Sequence, residues 1–80
     1  MTIDEQYRKL EDTIRDYNPG ADFAHIRSAY EFAKQQHGDQ RRKSGEPYIT
    51  HPLAVAQIVA EELHLDSESI EAALLHDVIE

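Results

Sequence analysis

The chain has 80 residues, no cysteine and a formal net charge of −8, from eight Lys and Arg against sixteen Asp and Glu. A domain this small buries only about 60–65% of its unfolded surface, and without thiols neither a disulfide nor a thiolate metal site can reinforce it. The charge disfavours non-specific nucleic-acid binding and attachment to anionic membranes. No apolar run exceeds four residues, against the roughly 20 of a membrane span. The opening Met1-Thr2-Ile3-Asp4-Glu5 has no cationic flank and no hydrophobic region, so it is not a signal peptide and a cytoplasmic protein is the default.

Ile3, Tyr7, Leu10, Ile14 and Tyr17 recur at helical spacing and predict a first helix. Thr2 with Glu5 forms its capping box, and Asn18-Pro19-Gly20 ends it. A second helix is expected from an Asp22 N-cap to Gly38, with Phe23, Ile26, Tyr30, Ala33 and His37 on its inner stripe. The polar stretch 39–48, with Gly45 and Pro47, reads as a loop. A third helix is expected from Pro52 to Leu63, burying Leu53, Ala56, Ile58 or Val59, and Leu63. Asp66 or Ser67 then caps a fourth, with Ile70, Ala73, Leu74, Val78 and Ile79 as its apolar positions. No segment alternates like a strand, so the fold class is all-α, four helices with short connections. The fourth helix is still in apolar period at Glu80, without Gly, Pro or a basic last turn, which reads as a cut rather than a terminus. Such a cut would leave Leu74, Leu75, Val78 and Ile79 as an apolar face for self-association.

Three groups of residues suggest chemistry. His51 enters the third helix and His76-Asp77 lie late in the fourth. The 25 positions between the two histidines match two antiparallel helices, which bring these ends together. Imidazole and carboxylate suit a divalent ion such as Mn, Fe, Zn or Mg, although two unrelated helical histidines would share this spacing. Glu80 falls on the same helix face as His76 and Asp77, placed for general-base work on a water or simply for solvation. Arg41-Arg42-Lys43-Ser44-Gly45 is the one dense basic cluster, able to grip phosphates or to pair with nearby acids. His25, His37 and His64 read as packing or surface residues, and Tyr7, Tyr17, Tyr30 and Phe23 as core.

The strings Arg42-Lys43-Ser44-Gly45-Glu46-Pro47-Tyr48-Ile49-Thr50-His51-Pro52 and Ala73-Leu74-Leu75-His76-Asp77-Val78-Ile79-Glu80 closely resemble the N-terminal hydrolase domain of the RelA/SpoT family, within the HD-domain phosphohydrolases. The resemblance covers roughly residues 23 to 80. It implies that His51, His76 and Asp77 are metal ligands, with Mn2+ the expected ion. It further implies that Glu80 is the first acid of a Glu-Asp pair acting on the attacking water, and that Arg42, Lys43 and Ser44 hold the guanine nucleotide. The implied reaction is removal of the 3′-diphosphate from (p)ppGpp in the stringent response, by a parent whose other activity would be that of a GTP pyrophosphokinase. The Asp that follows Glu80 in the family, its fourth metal ligand and its later helices do not occur in these 80 residues. Residues 1–80 are therefore expected to be an incomplete N-terminal part of the hydrolase domain, inactive alone. Two readings compete with this one: an HD-domain phosphohydrolase of another nucleotide, and a non-catalytic helical interaction module.

Overall fold

A computed structural model describes residues 2–79, apart from the side chains of Asp77 and Ile79. It contains α1 (Ile3–Tyr17), α2 (Phe23–His37), α3 (Thr50–Ile58) continued by a π-helical turn (Val59–Leu63), and α4 (Ser67–Ile79). The all-α class holds, and the only β-type pairing among the described residues is an antiparallel bridge between Arg41 and Pro47.

α1, α2 and α4 start where side chains satisfy their first N–H groups. Thr2 Oγ1 accepts from Glu5 N at 3.1 Å, and Glu5 Oε1 accepts from Thr2 N at 2.9 Å, completing the capping box. Asp22 Oδ1 accepts from His25 N, and Asp66 Oδ1 accepts from Ser69 N at 2.9 Å. Such caps contribute about 1 kcal/mol each. Asp22 N also donates to Ser67 Oγ at 3.1 Å, which ties the start of α2 to the start of α4.

Leu10, Ile14, Ile26, Ala33, Leu53, Ala56, Ala60, Ile70 and Leu74 form one core. Through it α2 packs on α4, and α3 packs on both α4 and α1. Small residues on α2 (Ala29, Ala33) and α3 (Ala56, Ala60) let the axes come close. Long side chains join α1 to α2. The Tyr7 and Tyr30 rings stack at 4.1 Å and 7°, and Tyr30 Oη donates to Asp4 Oδ1 at 2.8 Å. Buried Glu11 accepts from the Tyr7 hydroxyl and from Arg27 Nε and Nη2 at 3.2 and 3.0 Å. Burial, and then Glu11, pushes the Tyr7 hydroxyl above its ordinary range. Burial and Asp4 do the same to Tyr30.

Three expectations change, and the open choice between Ile58 and Val59 is settled. The third helix begins at Thr50, not Pro52, because Ile49 is buried and its carbonyl already accepts from Leu53 N at 3.2 Å. Val59 packs against the core while Ile58 is 59% exposed. Leu63 is 62% exposed, because a π turn advances each side chain by less than the roughly 100° of an α-helix and rotates Leu63 off the inner stripe. The fourth-helix patch is not open as expected: Leu74 is fully buried and Leu75 and Val78 pack against the core, while Ile79 lies outside the described side chains. Among the described residues the large apolar side chains that are exposed are Phe32, Ile58, Leu63 and Leu65.

The caps make stability pH-dependent. Bonds from Tyr30 and Lys34 hold the Asp4 carboxyl below its usual range, the Thr2 backbone does so for Glu5, and the Ser69 backbone for Asp66. A carboxyl lowered by folding stabilises the fold above its unfolded value, here near 4, and that contribution is lost as pH falls through the folded value. The expected melting curve is therefore flat between about pH 5 and 7 with respect to these groups, then drops in acid. Asn at position 66 should flatten that drop, which thermal melts at several pH values will read.

Candidate metal and anion site

The start of α3 and the end of α4 meet at one end of the bundle. His51 is half-buried and His76 exposed, and their rings lie 5.9 Å apart, centroid to centroid, at 61°. His76 Nδ1 lies 2.6 Å from the Ala73 carbonyl oxygen. A carbonyl only accepts, so Nδ1 carries the proton and Nε2 of the neutral ring keeps its lone pair. That is the arrangement usual for metal-binding histidines, which donate their second N–H to a backbone carbonyl.

With metal–nitrogen bonds of about 2.1 Å, two rings on one ion have centroids at most about 6.5 Å apart. The observed pair is inside that reach, so the two histidines fit one ion. Asp77 is adjacent in the last turn of α4, but its side chain lies outside the described residues, as does Glu80 entirely. Among the described residues no group of three or more His, Cys, Asp or Glu could hold a metal, so the histidine pair is the part of the expected ligand set that the structure brings together.

The basic cluster stands beside this pair as a small hairpin. Arg42 N donates to Glu46 O at 2.8 Å, and Gly45 N donates to Arg42 O at 2.8 Å. This closes a three-residue turn, Lys43-Ser44-Gly45, of the type that ends on a residue with positive φ. Gly45 has φ 91°. A Cβ there would meet nothing within 4 Å, so the need for glycine is conformational. Gly45→Ala should cost the hairpin about 1 kcal/mol. It should shift the amide signals of residues 42–46 and leave the helices intact.

Arg41 Nη1 donates to Gly45 O at 3.0 Å, bracing the turn from its stem. Arg41, Arg42, Lys43 and Ser44, with Tyr48 and His51, line an open cleft of about 600 Å³. The expected nucleotide-holding residues and the first expected metal ligand thus share one cavity. Sequence reasoning missed Tyr48, whose ring stands edge-on to His51 at 6.2 Å. An aromatic directly before the apolar start of a helix, in an otherwise polar loop, was the available signal. The other histidines behave as expected: His25 pairs with Asp22 on the surface, His64 stacks on Tyr17 and His37 is buried.

Comparison with known proteins identifies the family. Residues 29–80 match the HD domain family. The chain is 64% identical over 55 residues to a guanosine-3′,5′-bis(diphosphate) 3′-pyrophosphohydrolase of Aquifex aeolicus, covering 69% of this chain and 8% of that protein. It is 54% identical over 66 residues to the bifunctional (p)ppGpp synthase/hydrolase RelA of Mycobacterium tuberculosis, covering 82% and 9%. With the bifunctional (p)ppGpp synthase/hydrolase SpoT of Escherichia coli it shares 51% over 74 residues, covering 92% and 10%. The chain spans about a tenth of the length of these relatives. The resemblance read from the two motifs holds, and because the family match takes in the basic hairpin, both histidines and Asp77, the chain belongs to the HD domain family.

Proposed function

We propose that the chain carries the nucleotide-gripping and metal-holding elements of a guanosine-3′,5′-bis(diphosphate) 3′-pyrophosphohydrolase, acting in the cytoplasm. The observation that supports this most is that His51, in the wall of a cleft lined by Arg42, Lys43 and Ser44, has the His76 ring 5.9 Å away between centroids. His51 and His76, with Asp77, would hold the ion, for which we propose Mn2+. When bound, the ion supplies Lewis acidity, lowering the pKa of water and polarising a phosphoryl oxygen. Arg42 and Lys43 offset the negative charge of the nucleotide, the guanidinium with two parallel donors and the ammonium as a point charge. Ser44, in the turn, offers a hydroxyl. Glu80 takes a proton from the attacking water. The water oxygen ends on the released diphosphate, and the 3′ oxygen leaves as a hydroxyl with the proton that Glu80 took from the water.

Titrating guanosine 3′,5′-bis(diphosphate) into the chain with Mn2+ present tests the reading. Saturable shifts of the Lys43 and Ser44 amides are expected, with none on the outer face of α2 around Phe32. Shifts absent, or equal with the adenosine analogue, would count against a guanine-specific hydrolase and towards the other-nucleotide reading. No release of pyrophosphate is expected from the 80 residues alone, which carry His51, His76 and Asp77 but neither the fourth ligand nor the second acid that the family resemblance implies. Self-association enters this proposal through Phe32, Ile58, Leu63 and Leu65 instead of α4. Light scattering that gives a monomer would remove it.

A further inference from the structure

His37 closes α2 and is only 6% exposed, yet no role described so far uses it. Its ring lies 4.6 Å from that of Tyr48 at 38°. Its Nδ1 is 3.1 Å from Gln40 Oε1, and the backbone carbonyl of the same Gln40 accepts from Tyr48 N at 2.9 Å. His37, Gln40 and Tyr48 thus form a closed triangle at the root of the basic hairpin, across the Arg41–Pro47 bridge. An amide oxygen only accepts, so Nδ1 donates and Nε2 bears the lone pair. That Nε2 is buried with no hydrogen-bond partner among the described residues. An orphaned buried acceptor opposes folding, so stability alone does not call for histidine here.

The space around Tyr48 suggests what it does. Tyr48 lines the cleft shared by Arg42, Lys43, Ser44 and His51. It also lines a second cavity of about 310 Å³, together with Gln36, His37, Gln40 and Val78. Tyr48 is thus common to both spaces, and the His37 ring meets it at a tilt beside the second one.

We propose that His37 is a positioning residue: it props the Tyr48 ring against the second cavity, and through Tyr48 it fixes the basic hairpin and the edge of the His51 ring in one cleft. The functional consequence rests on the hydrolase reading above, while the geometric claim does not. Without the His37 ring, Tyr48 loses one of its contacts, and the common wall of the anion-holding and metal-holding halves of the site is less firmly set.

The test uses the 80-residue chain without metal or nucleotide, comparing His37→Leu, which keeps an apolar side chain of similar size, with His37→Phe, which restores a ring. Long-range proton–nitrogen spectra of the histidines and the amide signals of residues 42–46 are the readouts. His37→Leu should move the His51 ring signals and broaden the hairpin amides, with the helical circular dichroism unchanged, and His37→Phe should restore both. Unmoved His51 and hairpin signals in His37→Leu overturn the proposal, as does a His37→Phe spectrum displaced as far as that of His37→Leu. Should His37→Leu lose its helical signal, Tyr48→Leu takes its place, and unmoved His51 signals there overturn the proposal equally. Guanosine 3′,5′-bis(diphosphate) should bind His37→Leu at least fivefold more weakly than wild type and His37→Phe about equally. A wild-type chain that binds none counts against the hydrolase reading alone, because the ligand-free spectra still decide the role of His37.

Discussion

Exchanged for the 74 residues it matches in the Escherichia coli SpoT relative, the chain is expected to leave a chimera that hydrolyses (p)ppGpp, and His76→Ala in that chimera should lower the rate about a thousandfold. The size follows from what the ring supplies. Loss of one imidazole from an ion that contributes several kcal/mol to the transition state is worth about three powers of ten. The Ala73 carbonyl that orients His76 at 2.6 Å would be left without its donor. His51→Ala should act as strongly on the proposed reading, in which both rings, 5.9 Å apart between centroids, hold one ion. Ser44→Ala should be milder, about tenfold, the worth of one hydrogen bond to a charged group. Pyrophosphate release is the readout. A His76→Ala chimera within tenfold of its parent would show that the histidine pair does not hold the catalytic ion.

The largest loss of stability is expected from Tyr30→Ala. Tyr30 is 1% exposed, stacks on Tyr7 and bonds Asp4, so it joins α1 to α2 from within. Truncating a buried aromatic costs about 3–5 kcal/mol. An 80-residue domain holds roughly 4–12 kcal/mol in total, so the variant should be largely unfolded at 37 °C. Tyr30→Phe keeps the stack and loses one bond to an exposed carboxylate, a change of about 1 kcal/mol. Urea unfolding of the pair separates the two contributions, and equal losses would mean that the hydroxyl rather than the ring joins the helices.

The parts of the fold that sequence exposed are those governed by neighbours in the chain. Thr2, Asp22 and Asp66 cap their own first turns, so the starts of α1, α2 and α4 were legible. The start of α3 has no side-chain cap. It is set by Ile49 entering the core, a long-range event that local propensity does not carry. The outward turn of Leu63 follows from a π turn, which has no simple sequence signature. At the site, the hairpin and the histidines could be found from residue type and spacing. The roles of Tyr48 and His37 could not, because they depend on two rings from different segments coming into contact.

The wide turn at Val59–Leu63 lies between His51 and His76 along the chain, at the end of the helical hairpin away from both. An i→i+5 turn contains one residue more than an α turn. Removing a residue there would tighten the turn and leave residues 51–58 and 67–76 facing as before. Removing one from 52–57 would swing His51 by roughly 100° relative to the helix that follows. The hairpin therefore has one place where its length can change by a residue without misaligning the two histidines. Among relatives, gaps in this region should gather at that turn and spare the stretch that begins at His51.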